Sequence, residues 1–242
     1  MKCEFSETQF VFGVMNELVN NYLQKKSGWT ALYFPTQRKE MRLGYDVKIK
    51  NPVRTRSVFF QFKVPEKKTT SKGKYWTQFG QPYYEFKIWP DNVTHQHNEL
   101  VNLAKSPHNK VYYCSPGFHT FNEFDINYQY KKIAKNSIYV PCKGLPTISG
   151  NVKHNIAYTL KPKVIAKMHS EEFSIDAFDI GQLVEDIDNT EAYVSVHECL
   201  IYIAEMFSIE ISDRSNDENI YHEIANYLVE NKNLFLLLVS DC

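Results

Sequence analysis

Apolar residues recur at helical spacing near the start of the chain. Phe10 and Val14 are four residues apart, so they lie on one face of a helix, and further apolar residues continue that face. Ser6 precedes them and is a residue type that caps helix N-termini. A Ser-Gly pair at 27–28 is a stop signal. The pattern predicts a helix that begins after Ser6 and ends near residue 26.

Short runs rich in β-branched and aromatic residues follow this helix and predict strands. These runs are Trp29–Phe34, Tyr45–Ile49, Ser57–Val64, 83–89 and 110–116. The run SVFFQFKV at 57–64 has the composition of a central strand. Residues 93–105 predict a helix, and the lysine-rich segment 65–82 predicts a mobile loop or hairpin tip. Beyond residue 117 the pattern predicts no element.

Helical spacing returns in the C-terminal third, where it predicts helices over 177–187, 191–207 and 218–230. The apolar run 234–239 fits a strand or a helix. Residues 161–174 are the predicted linker. The expected fold is therefore α/β (α+β), with domains at 1–168 and 169–242, the second small and helical.

The even charge total of 28 basic and 28 acidic residues conceals a strong asymmetry. Residues 1–168 carry a net charge of +15 and residues 169–242 a net charge of −15. A basic excess of this size indicates a polyanionic partner, most simply nucleic acid, because phosphate contacts release counterions. The acidic part has too many periodic apolar residues for a disordered tail, so we expect it to dock on a protein or on the basic part itself. A solvated surface without a partner is the alternative interpretation.

Cysteine usage and hydropathy narrow the class of protein further. The five cysteines are scattered, with no CxxC pair, which disfavours a disulfide framework or a zinc knuckle and favours a reducing compartment. The longest apolar run, 234–239, is far shorter than the roughly 20 residues of a membrane-spanning helix. The N-terminus lacks the apolar core of a secretion signal. The sequence therefore predicts a cytoplasmic protein without a membrane partner.

Polar side chains inside apolar strands mark a candidate catalytic site. Asp46 begins one predicted strand, while Gln61 and Lys63 lie two residues apart on the next and so share a face. A turn near 51–56 would fold these strands into a hairpin and bring Asp46 to that face. Carboxylate and amide oxygens suit Mg²⁺ or Mn²⁺, and a neighbouring lysine can hold or deprotonate an attacking water. Glu17, on the first helix, is expected to complete the metal site directly or through water.

This arrangement resembles the PD-(D/E)xK nuclease superfamily over roughly residues 7–115. GYD, ending in Asp46, stands where that family has its metal-binding Asp, and QFK, with Gln61 and Lys63, stands where it has (D/E)xK. The Gln variant is similar to Mrr-type restriction endonucleases and to nuclease effectors of bacterial anti-phage systems. Glu17 matches the acid that those relatives carry on the first helix, and Glu40 is a second candidate.

The resemblance implies a restriction-endonuclease-like mixed sheet flanked by helices. It also implies an Mg²⁺- or Mn²⁺-dependent deoxyribonuclease, with DNA favoured over RNA, in an anti-phage role. We expect the acidic part to restrain cutting until a trigger acts. The chain departs from the family in lacking the Pro before Asp46, and Gln61 brings one negative charge fewer to the metal.

Two alternatives remain open at this point. In the first, these residues are a strand with one edge lysine and a turn aspartate, without a site. In the second, the protein is a non-catalytic nucleic-acid-binding or assembly module that keeps the nuclease fold, and its acidic helices bind a second protein. Other candidate sites are weaker. His95 and His97 lack a third metal ligand nearby. The lysines of 67–74, with Tyr75 and Trp76, suit either DNA contact or a solvated loop.

Overall fold

A computed structural model describes residues 1–23, 55–90, 92–93, 95–107, 109–168, 173–188, 195–212, 214–232 and 234–240. Within these residues the protein is a mixed α/β fold with two sheets and seven α-helices. None of the helices described is long and apolar enough to cross a membrane. The predicted strands at 29–34 and 45–49, together with Glu40 and Asp46, lie outside the described residues.

The described helices and strands follow one another along the chain. In order they are α1 Glu7–Glu17, β1 Thr55–Phe62, β2 Glu66–Lys68, α2 Trp76–Phe79, β3 Tyr83–Ile88, α3 Gln96–Leu103, β4 Asn109–Pro116, α4 Phe121–Gln129, β5 Ser137–Pro141, β6 His154–Thr159, β7 Ile165–Met168, β8 Phe173–Ile175, α5 Ile180–Asp188, α6 Val196–Met206, α7 Asp217–Lys232 and β9 Phe235–Ser240.

The first helix confirms the prediction made from its spacing. Ser6 and Gln9 form a capping box, in which each side chain satisfies a backbone N–H of the other residue. Phe10 and Val14 are fully buried, as their shared face requires. The helix continues as a π-helical segment over Leu18–Leu23.

Strand β1 lies inside a four-stranded sheet of order β5-β4-β1-β9, which confirms it as a central strand. It runs parallel to β4 over 57–62 and antiparallel to β9 over 55–60. Both edges of β1 are therefore hydrogen-bonded over 57–60. The predicted hairpin between 45–49 and 57–64 needs an edge that β9 occupies, so that pairing is wrong at these positions. The cause is a long-range contact with the C-terminal apolar run, which forms a strand.

The second sheet is antiparallel, in the order β2-β3-β6-β7-β8. It contains segments for which the sequence predicted no regular structure. The expected loop at 65–82 holds β2 and α2, and the expected linker at 161–174 holds β7 and the start of β8. The physical reason is pairing, because β2 and β7 each obtain their backbone partners from β3 or β6.

The acidic part packs into the same interior as the basic part. Leu200 of α6 and Ile224 of α7 share a core with Phe59 of β1 and Phe86 of β3, between the two sheets. Leu183 of α5 belongs to a second core on the α1 side of the four-stranded sheet. The predicted helices α5, α6 and α7 are confirmed, but β8 and β9 accompany them. The structure joins 1–168 and 169–242 in shared sheets and cores, where the sequence predicted two domains.

Candidate active site at the carboxyl end of strand β1

The candidate site lies where two parallel strands end side by side. The last pair of the β1–β4 ladder joins Phe62 to Cys114, and the Lys63 N–H then donates to the Cys114 carbonyl at 2.9 Å. The carboxyl edge of parallel strands is where α/β sheets commonly bind ligands. Gln61 and Lys63 are therefore held by the sheet at a suitable edge.

Gln61 is fully buried and lies on the opposite face of β1 from Phe60 and Phe62. Its Nε2 donates to the Phe62 carbonyl at 3.3 Å, which is a long hydrogen bond. Its Oε1 has no hydrogen-bond partner within the described structure. A buried polar atom left in this state costs about 1–3 kcal/mol. The amide oxygen is thus available to a cation or to a donor.

Lys63 is partly buried, and its Nζ donates to Gln96 Oε1 at 3.3 Å. Burial lowers the pKa of Lys63, while the Glu7 carboxylate at the start of α1 acts in the opposite direction. A lowered pKa increases the fraction of Lys63 that is a neutral amine at a given pH, and the neutral amine is the form that can accept a proton from water.

The sequence did not single out Gln96 or Glu7 as part of this site. Gln96 begins α3 and also donates from Nε2 to the Lys232 carbonyl at 2.6 Å, so it joins β1 to the end of α7. Its neighbour His97 is buried, and its ring nitrogens lie 3.0 Å from the Tyr113 hydroxyl and 2.9 Å from the Pro146 carbonyl. His97 is thus a structural residue, and Gln96 is the member of this segment that reaches the site. The sequence did offer a signal for Gln96, which is its position in the first turn of the predicted helix that leads into β4.

Glu17 lies on the other side of the sheet, in the core formed by α1, and is not brought to Gln61 and Lys63. Its side chain is 2% exposed. Oε1 accepts from the Ile133 N–H at 2.9 Å and Oε2 from the Ala134 N–H at 2.8 Å. Burial raises the pKa of Glu17, opposed by these two amides. The geometry gives Glu17 a structural part, in place of the expected metal ligation.

We predict that Glu17→Ala lowers the free energy of unfolding by about 3 kcal/mol, because it leaves two buried N–H groups without an acceptor. Glu17→Gln keeps one carbonyl oxygen and serves as the milder control. Urea unfolding measures the loss, and Mn²⁺ titration of the folded variant measures metal affinity, which we expect to be unchanged. If Glu17→Ala is as stable as the wild type but no longer binds Mn²⁺, Glu17 is a metal ligand and the structural assignment is wrong.

In the lysine-rich segment 65–82, side chains considered for DNA contact are engaged within the protein itself. Tyr75, for which the sequence left DNA contact and a solvated loop equally open, is buried and packs edge-on against Tyr83, with ring centroids 5.8 Å apart. Lys68 pairs with Glu66 at 2.9 Å and Glu85 at 3.1 Å. The Tyr75 ring fits neither alternative, because it belongs to a small core under the segment.

The remaining acids of the predicted site, Asp46 and Glu40, lie outside the described residues. Across the part of the chain that the structure describes, no group of three or more His, Cys, Asp and Glu side chains is placed to hold a metal ion. The hard oxygen ligand that this edge offers is Gln61 Oε1. No protein-family model, curated protein or solved structure matches the chain.

Proposed function

We propose that the protein is a metal-dependent nuclease that cuts DNA phosphodiester bonds at the carboxyl end of β1. One observation carries the proposal: the buried amide oxygen of Gln61, which has no hydrogen-bond partner among the described residues, lies two residues from the partly buried amine of Lys63. Burying both groups at one sheet edge costs free energy that packing alone does not explain. A bound cation and phosphate offset that cost.

The described residues supply part of the oxygen ligands that a divalent cation needs. Gln61 Oε1 is a hard, neutral ligand, and Asp46, or Glu40 as the second candidate, would add the carboxylate that Mg²⁺ or Mn²⁺ prefers. When bound, the metal polarises the scissile phosphate and lowers the pKa of a bound water. Glu17 is excluded from this set in the described structure, since both its oxygens accept from backbone amides.

Lys63 would hold the attacking water and accept its proton at Nζ. Its lowered pKa favours the neutral amine needed for that step. Gln96 orients the amine through its Oε1. After proton transfer the ammonium offsets negative charge on the phosphate, and Glu7 supports the charged form.

The nature of the substrate follows from charge. Residues 1–168 carry a net charge of +15, which favours a polyanion, and the resemblance to restriction and anti-phage nucleases favours DNA and a role in defence. Because residues 169–242 belong to the shared cores, we do not assign them the part of a detachable inhibitor.

A non-catalytic nucleic-acid-binding module is the second candidate, and one observation favours it. Strands β4 and β9 pair with both edges of β1 over 57–60, where the sequence had predicted pairing with the Asp46 strand. In that case the basic surface binds nucleic acid, and Gln61 and Lys63 do no chemistry.

The two candidates are separated by incubating plasmid and linear DNA with the protein in Mg²⁺, in Mn²⁺ and in EDTA, beside Lys63→Met. We expect cutting with both metals, none in EDTA and none by the variant. Methionine keeps the length and apolar stem of the lysine, so loss of packing does not explain the result. Absence of cutting by the wild type, with salt-sensitive DNA binding intact, would favour the non-catalytic module.

A further inference from the structure

Helices α1 and α4 lie side by side and run parallel, as contacts at three levels show. At their beginnings, the Phe121 N–H donates to Glu4 Oε2 at 2.9 Å. Further along, the ring of Phe12 in the middle of α1 stacks on that of Tyr128 near the end of α4, with centroids 6.4 Å apart. At their ends, Glu17 accepts from the backbone that follows α4. The two helices form one continuous surface.

This surface exposes large aromatic side chains. Phe12 is 52% exposed, Phe121 49% and Tyr128 43%, and Tyr130, directly after α4, is 66% exposed. They are four of the ten large hydrophobic residues exposed in the described structure. Such a concentration marks an interaction surface more often than scattered single residues do.

A cleft of about 380 Å³ opens beside these rings. The α1/α4 cleft is lined by Asn16, Glu17, Asn20, Asn21, Tyr128, Gln129 and Lys131. Amide side chains are suited to the edges of bases, and exposed aromatic rings are suited to their faces. The Tyr128 ring already stacks on Phe12 and on Phe124, with ring centroids 6.4 Å and 6.3 Å apart, so a bound base would extend this stack from the exposed part of the rings. Asn20 Nδ2 donates to Asn16 Oδ1 at 2.8 Å, which fixes the two amides relative to each other.

The charge at this end of the helices is positive. Lys131, Lys132 and Lys135 are exposed, and the Lys132 amine lies 5.4 Å from the Tyr130 ring centroid. The acids of the surface are largely engaged: Glu17 accepts from backbone amides, and Glu123 closes the capping box of α4. Asp125 is the exposed exception.

We infer that the α1/α4 cleft binds single-stranded nucleic acid, with bases stacked on Tyr128 and Phe12 and phosphates at the lysines. The inference deepens the proposed function and rests on it, because it names the form of the substrate. Asn16 is nine residues from Glu7, so the cleft lies about 13 Å along α1 from the start of the helix. A duplex fits less well, since its bases are already stacked on one another.

Fluorescence anisotropy in EDTA tests this inference without cutting. The probe is an oligothymidylate of about 20 nucleotides, longer than the roughly 4–16 nucleotides of a typical single-strand site. Phe12→Ala with Tyr128→Ala is expected to weaken binding about tenfold or more, because both stacking platforms are removed. Tyr202→Ala removes an exposed tyrosine from the acidic helix α6 and is the matched control, expected to bind as the wild type does.

A salt series gives a second readout. Replacing Lys131, Lys132 and Lys135 by Ala is expected to reduce the slope of log affinity against log salt by about 2, at about 0.7 for each phosphate that is no longer neutralised. Unchanged affinity in the aromatic double variant, or tighter binding of a matching duplex than of the single strand, would overturn the inference. So would an aromatic variant that changes only the oligomeric state, since the surface would then bind a second copy.

The outcomes separate this inference from the nuclease proposal. If the wild type cuts DNA but the aromatic variant binds and cuts single strands normally, the cleft assignment fails and the nuclease proposal stands. If no DNA is cut but the aromatic variant binds weakly, the cleft assignment stands and the nuclease proposal fails.

Discussion

Deletion of residues 169–242 is expected to unfold the rest of the chain and not to release an active nuclease. The deletion removes β9, which leaves the hydrogen-bonding groups of β1 over 55–60 unpaired on that edge. It also removes α6 and α7, whose apolar faces cover the core between the two sheets. The buried side chains removed include Leu200, Ile203, Ile220, Ile224 and Leu228. Each contributes about 1.5–3 kcal/mol, against a typical total stability of about 5–15 kcal/mol.

Thermal unfolding followed by circular dichroism measures this effect. The full chain is expected to melt cooperatively, and the deletion variant to show no cooperative transition. The control for charge alone is a full-length variant with exposed acids neutralised, Glu205→Gln, Glu210→Gln and Glu230→Gln. We expect this variant to melt as the wild type does. A folded deletion variant that binds DNA more tightly than the full chain would instead support restraint by a separate acidic domain.

Gln61→Met is expected to raise stability and abolish cutting at once. The substitution removes the buried Oε1, for which the described part of the chain offers no partner, and fills the site with an apolar side chain of similar length. We expect a gain of about 1 kcal/mol in the free energy of unfolding. Cutting in Mg²⁺ should fall by about 100-fold or more, because the metal loses a ligand beside Lys63. Opposite changes in stability and activity are typical of functional sites.

Urea unfolding and plasmid cutting on the same preparations test this prediction. Gln61→Glu keeps an oxygen ligand and adds a charge, so it is expected to retain cutting and bind Mn²⁺ more tightly than the wild type. If Gln61→Met destabilises the protein and leaves cutting intact, the glutamine is a packing residue and has no part in catalysis.

Local elements were largely predictable, while the pairing of distant strands was not. Capping chemistry and apolar spacing locate α1, and composition locates β1 as a central strand. The Thr120–Glu123 capping box was present in the sequence and would have indicated α4. By contrast, the β1–β9 ladder joins residues about 180 positions apart, and nothing local distinguishes that pairing from a hairpin with the preceding strand.

The candidate site was predictable to a similar degree. Two-residue spacing predicted Gln61 and Lys63 on one face of a strand, and the strand β1 ends at Phe62, one residue before Lys63. Gln96 reaches Lys63 through the tertiary fold, 33 residues away. The sequence did contain a signal for the structural part that Glu17 plays. It lies three residues after Val14 and seven after Phe10, on the buried face of α1, and an acid on a buried face requires donors nearby. The backbone at 133–134 supplies them, and its position depends on the fold of α4.

The proposed centre is tested most directly by the rate of plasmid cutting in Mg²⁺ by Lys63→Met relative to the wild type, at equal concentrations of folded protein. Lys163→Met, an exposed lysine of the same basic part, is the control for charge. Loss of the proton acceptor predicts a rate lower by about 100-fold or more for Lys63→Met, with the control unaffected. Cutting by Lys63→Met at the wild-type rate would contradict a catalytic centre at the carboxyl end of β1.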